Sequence, residues 1–148
     1  MDRSQARDLI NSFVTEAFSE ACTTVGKDAD LRYQGIRPDE GVPLVPPNDM
    51  YWARVTLQVA TEYQETIRCE VRRFVTVGSV IVQMFFPVLD VNAQPNLDVI
   101  TEVLKRRFRT YPSDEIEFTG SRVDDNIPTE LNWLRANLVS QFAYRQFI

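Results

Sequence analysis

The residues that could perform acid–base chemistry in this chain are few. Two close acidic pairs are candidates, Glu115 with Glu117 and Asp124 with Asp125, and there is no histidine. Paired carboxylates can act as general acid and general base when their surroundings separate their pKa values. Neither pair lies beside a candidate nucleophile or in a motif that creates a dry pocket. The sequence therefore predicts no catalytic residue and no enzyme, and a small α+β enzyme using one of these pairs is a weaker alternative.

Metal and cofactor chemistry is also unsupported. Two adjacent carboxylates, such as Asp124 and Asp125, are a weak signal for a divalent cation, which needs further oxygen ligands, and an exposed turn is favoured there. Cys22 and Cys69 lie far apart in the sequence and form no CxxC or metal-ligand spacing. Both are therefore predicted to be buried free thiols, as suits a reducing cytoplasm. No metal and no cofactor are expected.

A small-molecule binding module has no supporting motif in the sequence. Trp52 and Trp133 could line a pocket. Core aromatic residues are the commoner explanation, because buried indole rings contribute large apolar areas to a core. The two tryptophans are accordingly predicted to be core residues.

Length and charge limit the remaining classes. The chain has 148 residues, which predicts one domain over residues 1–148, and carries a net charge of −5 from 16 basic and 21 acidic residues. This balance disfavours a nucleic-acid binder that grips phosphates. No apolar signal-peptide core follows the N-terminus, and no stretch approaches the roughly 20 apolar residues of a membrane span. A soluble protein kept inside a cell, without a membrane partner, is expected.

Two helices are predicted from apolar periodicity. Apolar residues recur at three- and four-residue spacing over residues 2–23, and again after Pro95 as far as Phe108. The second helix ends in a basic cluster that matches the helix dipole. A nucleic-acid patch is the less favoured interpretation of that cluster, which comprises Lys105, Arg106, Arg107 and Arg109.

Strands are predicted at residues 31–33, from Trp52 onward, and at 67–86, 116–123 and 132–148. Gly78, inside the long strand, suggests a bulge. The last strand is predicted to pair with the region of Ile81 at the centre of the sheet. The fold class is α+β: an antiparallel or mixed sheet of about four or five strands, with two helices packed on it and a projecting β-hairpin.

Two segments are candidates for surfaces. Residues 35–50 contain four of the eight prolines, which predicts an extended surface loop that is either functional or a mere connection. Residues 61–73 form the polar outer half of the predicted hairpin, and an isolated two-stranded ribbon is marginal in water. The hairpin is therefore predicted to contact a partner; the alternative is a strand pair wholly within the monomer's sheet. The predicted interface with a partner or a further subunit consists of Glu62, Tyr63, Gln64, Glu65, Arg68, Glu70, Arg72 and Arg73.

The order of these elements carries a family resemblance. LRYQG at residues 31–35 precedes the Pro-rich loop, YWARV follows at 51–55, GSVIVQMFFP at 78–87 ends a strand, and a helix and a closing strand complete the chain. This succession resembles the tail terminator proteins of long-tailed bacteriophages, in particular those related to the phage lambda minor tail protein U. The resemblance covers most of the chain, and the strand ending in Phe-Pro is its most specific part.

The resemblance implies a structural virion protein. Members of this family form a hexameric ring at the head-proximal end of the tail, cap the tail tube, stop its polymerisation and present the surface that joins the head. The implied partners are other copies of the chain, the tail tube protein and a head-completion or connector protein. DNA would pass through the lumen without specific binding, since an acidic wall does not hold phosphates.

A ring of this kind is built from head-to-tail contacts, so each subunit must offer two different faces. The hairpin and the Pro-rich loop are the candidates for those faces. The implied location is the virion tail, after assembly in the host cytoplasm. The alternative within the same architecture is another head–tail joining protein, a neck adaptor or a tail-completion protein.

Overall fold

Two helices and five strands make up the described part of the chain. The computed structural model describes residues 1–34, 46, 50–65, 72–112, 115–124 and 133–147. The elements in chain order are α1 (Arg3–Thr24), β1 (Ala29–Tyr33), β2 (Tyr51–Gln64), β3 (Arg73–Pro87), α2 (Ala93–Arg109), β4 (Ile116–Asp124) and β5 (Trp133–Phe147). The predicted α+β class is confirmed.

The two helices begin and end close to their predicted limits. Asp2 caps α1: its carboxylate accepts from the Gln5 backbone N–H at 2.8 Å, and the Gln5 side chain accepts from the Asp2 N–H at 2.9 Å. This reciprocal pair satisfies two backbone donors that have no partner within the helix. Pro95 lies in the first turn of α2, where its missing N–H costs no helical hydrogen bond.

The strands form one mixed sheet in the order β1-β2-β3-β5-β4. β1 runs parallel to β2, and all other neighbours are antiparallel. Ile81 on β3 lies opposite Val139 on β5, so the prediction that the last strand pairs with the Ile81 region at the sheet's centre is confirmed.

Both helices pack on the same face of the sheet. Even-numbered residues of β3, among them Val80, Met84 and Phe86, are buried there in one cluster with α1 and α2. Odd-numbered residues such as Ser79 and Ile81 point the other way and are half-buried. We call this second side the open face, because no helix in the described part of the chain lies over it. The described part of the chain is thus a two-layer α+β sandwich whose helices cover one face of the sheet.

The projecting hairpin is not confirmed. β2 and β3 pair as predicted, with Gln64 opposite Phe74, but β3 also pairs with β5 down to its first residue, Arg73 opposite Phe147. The outer half of β3 therefore has a strand on each side within the sheet. The predicted start of this strand at residue 67 lies outside the described residues.

The predicted bulge at Gly78 on β3 is wrong in its position, since the bulge lies on the neighbouring strand β2. The register shifts between Val59 and Thr61 on β2, so the extra residue is Ala60, while Gly78 remains regularly paired with Phe142 on β5. A Cβ atom on Gly78 would lie 2.3 Å from the Gln58 carbonyl oxygen and 2.8 Å from the Phe142 ring. Glycine is required here by the close approach of its neighbours.

Some predictions fall on parts of the chain that the structure does not describe. The Pro-rich loop is described only at Pro46, which is buried, and at Met50. Four residues for which the sequence predicted a role also lie outside the described ranges. They are the interface candidates Arg68 and Glu70, the cysteine Cys69 and the acidic residue Asp125.

Candidate assembly surfaces

The six described residues of the predicted interface lie together at one end of the sheet. Glu62, Tyr63, Gln64, Glu65 and Arg72 are exposed, and Arg73 is half-buried. Strand register places Tyr63 opposite Val75 on the open face, with half of its surface exposed (50%). The structure brings these residues together on β2 and β3, although as a paired sheet end and not as a free ribbon.

An ion-pair network crosses this end of the sheet. The Glu65 carboxylate lies 2.7 Å from Arg73 Nε and 3.5 Å from Arg145 Nε, and Arg145 Nη1 donates to Glu117 Oε1 at 2.9 Å. The Glu117 hydrogen bond is the main cause of a raised pKa for Arg145, with Glu65 adding to it. The network joins the end of β2 to β3, β5 and β4, so Glu65 and Arg73 are engaged within the molecule. Sequence reasoning missed this network because its members are far apart in the chain.

An aromatic cluster occupies the other end of the open face. The rings of Trp52 and Phe85 stack with centroids 4.2 Å apart, and Trp133 packs edge-on against Trp52 at 6.0 Å. The guanidinium carbons of Arg54 and Arg135 lie 5.8 Å and 5.2 Å from the Phe85 ring centroid. These distances place both cations within reach of the ring's negative face. We call these five residues the aromatic–arginine cluster.

The two tryptophans are buried as predicted, but not in the main core. They form a separate cluster with Phe85, because Trp52 and Trp133 have the opposite strand parity to the helix-covered residues. The Trp52 indole N–H is buried and has no hydrogen-bond partner in the part of the chain that the structure describes. Such a donor normally finds an acceptor, since leaving it without one costs about 1–3 kcal/mol.

The middle of the open face carries an apolar strip on its two central strands, interrupted by the polar pair Ser79 and Gln141. Val77 lies opposite Ala143, and Ile81 lies opposite Val139; all four are half-buried. Polar side chains border this strip, and Arg54 on β2 donates to Gln83 Oε1 from Nε and Nη2 at 3.0 and 2.8 Å. The face therefore combines an interrupted apolar strip with fixed polar groups, a mixture that also occurs in protein-binding surfaces.

A polar cluster under the turn between β3 and α2 contains the strongest pKa shifts of described acidic and phenolic groups. Tyr51 Oη donates to Asp90 Oδ2 at 2.6 Å and accepts from Asn96 at 3.0 Å, and Lys27 Nζ lies 3.4 Å from the same carboxylate. Burial, followed by the hydrogen bond to Asp90, raises the pKa of Tyr51 to about 12. The same hydrogen bond, with that from the Asn92 N–H, lowers the pKa of Asp90.

The chemistry of this cluster is structural. Tyr51 stays protonated at neutral pH, is only 2% exposed, and stacks on Phe86 with centroids 4.5 Å apart. A buried neutral phenol is a poor nucleophile, and no substrate could reach it. The cluster instead fixes Asp90, and with Asp90 the turn that follows β3.

The remaining candidates for chemistry are separate from one another. Glu115 and Glu117 are exposed, and Asp124 is exposed at the end of β4. Cys22 is a buried free thiol, as predicted, and burial raises its pKa to about 12. Within the described ranges no group of three or more histidine, cysteine, aspartate or glutamate residues is placed to hold a metal ion.

No family model matches the sequence, and no curated protein is significantly similar to it. Neither of the two helices in the described part has the combination of length and apolar character needed to cross a bilayer.

Proposed function

We propose that this chain is a structural virion protein of the tail terminator type. In this role copies of the chain form a ring, expected to be a hexamer, at the head-proximal end of a phage tail. The ring caps the tail tube, ends polymerisation of the tube protein and provides the surface that joins the head-completion or connector protein. The sequence resemblance suggests the protein family, and the surfaces of the fold give physical support.

The open face of the sheet is the observation that carries the proposal. One side of the sheet is covered by α1 and α2, and the other combines a half-buried apolar strip with the aromatic–arginine cluster. Tryptophan, phenylalanine and arginine are enriched in the buried centres of protein interfaces. A protein that works by contact with several partners needs such a surface, whereas an enzyme of this size needs a cleft with convergent polar groups.

The charge of the chain agrees with this role. At −5 over 148 residues, a ring of several copies would carry a strongly negative net charge. Like charge lowers the local concentration of DNA phosphates at the wall. Double-stranded DNA could then slide through without being held.

Control of tube length is the direct test. Purified tail tube protein of the same phage is polymerised with increasing amounts of this chain, and tube lengths are measured by electron microscopy. We expect shorter tubes with a ring-shaped density at one end. An unchanged length distribution, with the chain absent from tube ends, would contradict the proposal.

A variant pair tests whether the open face takes part. Arg54→Ala removes a cation of the aromatic–arginine cluster, and Arg122→Ala removes an exposed arginine on the same face, on β4. We expect Arg54→Ala to weaken binding to tubes or to filled heads at least fivefold, and Arg122→Ala to leave both unchanged. Equal binding by the two variants would exclude the cluster as a contact.

A further inference from the structure

The outer half of β2 leaves one edge of the sheet unpaired. β1 pairs with β2 only as far as Val55, whose carbonyl also accepts from the Gln34 N–H at 3.1 Å. Beyond Val55, β2 continues to Gln64 with β3 on one side, and no strand in the described part of the chain pairs with it on the other. Residues 58–64 are all exposed. A free edge of this length is a template for a further strand.

The backbone groups that point outward from this edge are those of Leu57 and Val59. Gln58 points the other way, because its carbonyl oxygen lies beside Gly78 on β3, and successive residues of a paired strand alternate in direction. Val55 also points outward, since its carbonyl accepts a hydrogen bond on that side. Leu57 and Val59 therefore offer N–H donors and C=O acceptors to an incoming chain. The bulge that follows Val59 ends this regular stretch.

Helix α1 lies along this edge and presents two arginines to it. The Thr15 hydroxyl contacts the hydroxyl of Tyr33, the last residue of β1, while Arg3 and Arg7 lie beside Leu57. Both arginines are exposed, and their guanidinium groups have no ion pair or hydrogen bond with the described residues. Two cations without a counter-ion beside a free strand edge favour an acidic partner.

A groove between α1 and the edge has room for another chain. Its volume is about 300 Å³, and no described residue that lines it carries a negative charge. A small notch with apolar residues on its walls, among them Ala6 and Val59, adjoins the groove. A backbone with short side chains can therefore lie between the helix and the sheet edge. The described residues that line the groove are Arg3, Arg7, Asn11, Gln34, Val55 and Leu57.

The spacing of the two arginines matches the repeat of a strand. Arg3 and Arg7 are separated by about 6 Å along the helix axis, and side chains on one face of a strand repeat every two residues, about 6.6 Å. A strand added beside Leu57 and Val59 places alternate side chains on the helix side of the sheet. Carboxylates at those positions can form charge-assisted hydrogen bonds with both guanidinium groups.

We propose that the edge of β2 at residues 56–59 binds an extended acidic segment of a partner protein by strand addition. The partner's backbone pairs with Leu57 and Val59, and its carboxylates, at alternate positions, bind Arg3 and Arg7. Main-chain hydrogen bonds supply the affinity in such complexes, and alternate side chains supply the specificity. A nucleic acid would use the arginines alone and would leave the backbone groups of the edge unpaired.

Two synthetic peptides test the charge requirement. One is a short capped peptide of alternating glutamate and threonine, and the other has glutamine in place of each glutamate. Fluorescence anisotropy of the dye-labelled peptides measures binding to the whole chain at low ionic strength. We expect the glutamate peptide to bind at least tenfold more tightly. Equal binding of the two peptides, or no binding of the glutamate peptide at about 1 mM, would overturn the proposal.

A matched pair of variants tests the location. Arg3→Gln/Arg7→Gln removes both charges of the site, and Arg106→Gln/Arg109→Gln removes two exposed arginines from α2. The two variants have the same net charge, so non-specific attraction of the peptide is equal. We expect the first variant to bind the glutamate peptide at least fivefold more weakly than the parent chain, and the second to bind it as the parent does. Equal affinities of the two variants would place the peptide elsewhere and contradict the proposal.

Amide hydrogen exchange tests whether the peptide joins the sheet. The N–H groups of Leu57 and Val59 should exchange rapidly in the free chain and at least tenfold more slowly with the glutamate peptide bound. The N–H of Gln58, which points toward β3, is the internal control and should be unaffected. Binding without protection of Leu57 and Val59 would rule out strand addition.

An oligothymidylate of the same length as the peptide tests the nucleic-acid alternative. We expect it to bind more weakly than the glutamate peptide and to leave the Leu57 and Val59 amides unprotected. Binding as tight as that of the glutamate peptide would show a site for any polyanion and would refute the choice of partner. These assays need neither a ring nor a tail tube, so their outcome is independent of the proposed function.

Discussion

At Gly78 the sheet leaves no room for a side chain. The Gln58 carbonyl and the Phe142 ring occupy the space where a Cβ atom would lie, and the carbonyl cannot move without disturbing the pairing of β2 with β3. Asp90 is a second residue with a single defined role, since its carboxylate joins the turn after β3 to Tyr51 and Lys27. Both residues can be tested by small changes.

We expect Gly78→Ala to lower the free energy of unfolding by about 1–3 kcal/mol, because the added methyl group overpacks a site with no free volume. Gly120→Ala is the control: a Cβ atom there meets nothing within 4 Å, and its effect should stay within about 0.5 kcal/mol. Urea unfolding of both variants gives the comparison. Equal stabilities would show that the neighbours of Gly78 can move apart.

The lowered pKa of Asp90 makes the turn sensitive to acid. A carboxyl group with a lowered pKa in the folded state stabilises the fold above its unfolded value of about 4, and this contribution is lost as the pH falls through the lowered pKa. Asp90→Asn should cost about 1–3 kcal/mol at pH 7 through the weakened hydrogen bonds. The variant should also lose less stability than the parent chain between pH 7 and pH 3.

Thermal unfolding at several pH values measures both effects. Asp98→Asn is the matched control, because Asp98 is exposed on α2 and its side chain accepts from Gln94. A pH profile that is the same for Asp90→Asn and the parent chain would show that Asp90 does not hold the turn.

At the scale of elements, local patterns predicted the helices and strands well and their arrangement only in part. Period-two alternation identified β2 and β5, and the spacing of apolar residues identified α1 and α2. The projecting hairpin is not confirmed, because the first residues of β3 pair with residues 143–147, about 70 positions further along the chain. Pairing between residues so far apart in the sequence does not change the local alternation of polar and apolar residues. The ion pairs that join Glu65, Arg145 and Glu117 could not be predicted for the same reason, since these residues are also far apart in the sequence.

The interface at residues 62–73 remains a prediction, but the structure leaves fewer of its residues as candidate contacts with a partner. Glu65 and Arg73 are engaged in ion pairs, so Tyr63 and Arg72 are the better anchors, being exposed. We expect Tyr63→Ala/Arg72→Glu to reduce ring formation or tube binding at least fivefold, since exposed tyrosine and arginine often dominate binding energy. Native mass spectrometry and the tube-length assay measure the two effects.

The ion-pair network is untouched by this double variant, so the sheet should fold normally. Arg122→Glu, on β4, is the control for a charge change elsewhere on the open face. Full ring formation and normal tube capping by Tyr63→Ala/Arg72→Glu would remove this end of the sheet from the list of contacts.

At the scale of the whole molecule, each side has a different composition. Helices cover one face of the sheet, and in the described part of the chain no helix lies over the opposite face. A subunit whose sides differ in this way can contact neighbouring copies and other partners through separate surfaces at the same time. The sequence could not predict the open face, because half-buried strand residues alternate in the same way whether the polar side meets water or a partner.

The aromatic–arginine cluster has a practical consequence. The chain has two tryptophans, and both lie in this one cluster. Nearly all intrinsic fluorescence of the protein therefore originates from a single place on the open face. A partner that contacts this cluster is expected to change the emission spectrum, whereas one that binds the helices is not. Tryptophan fluorescence can therefore report whether a partner binds at this cluster.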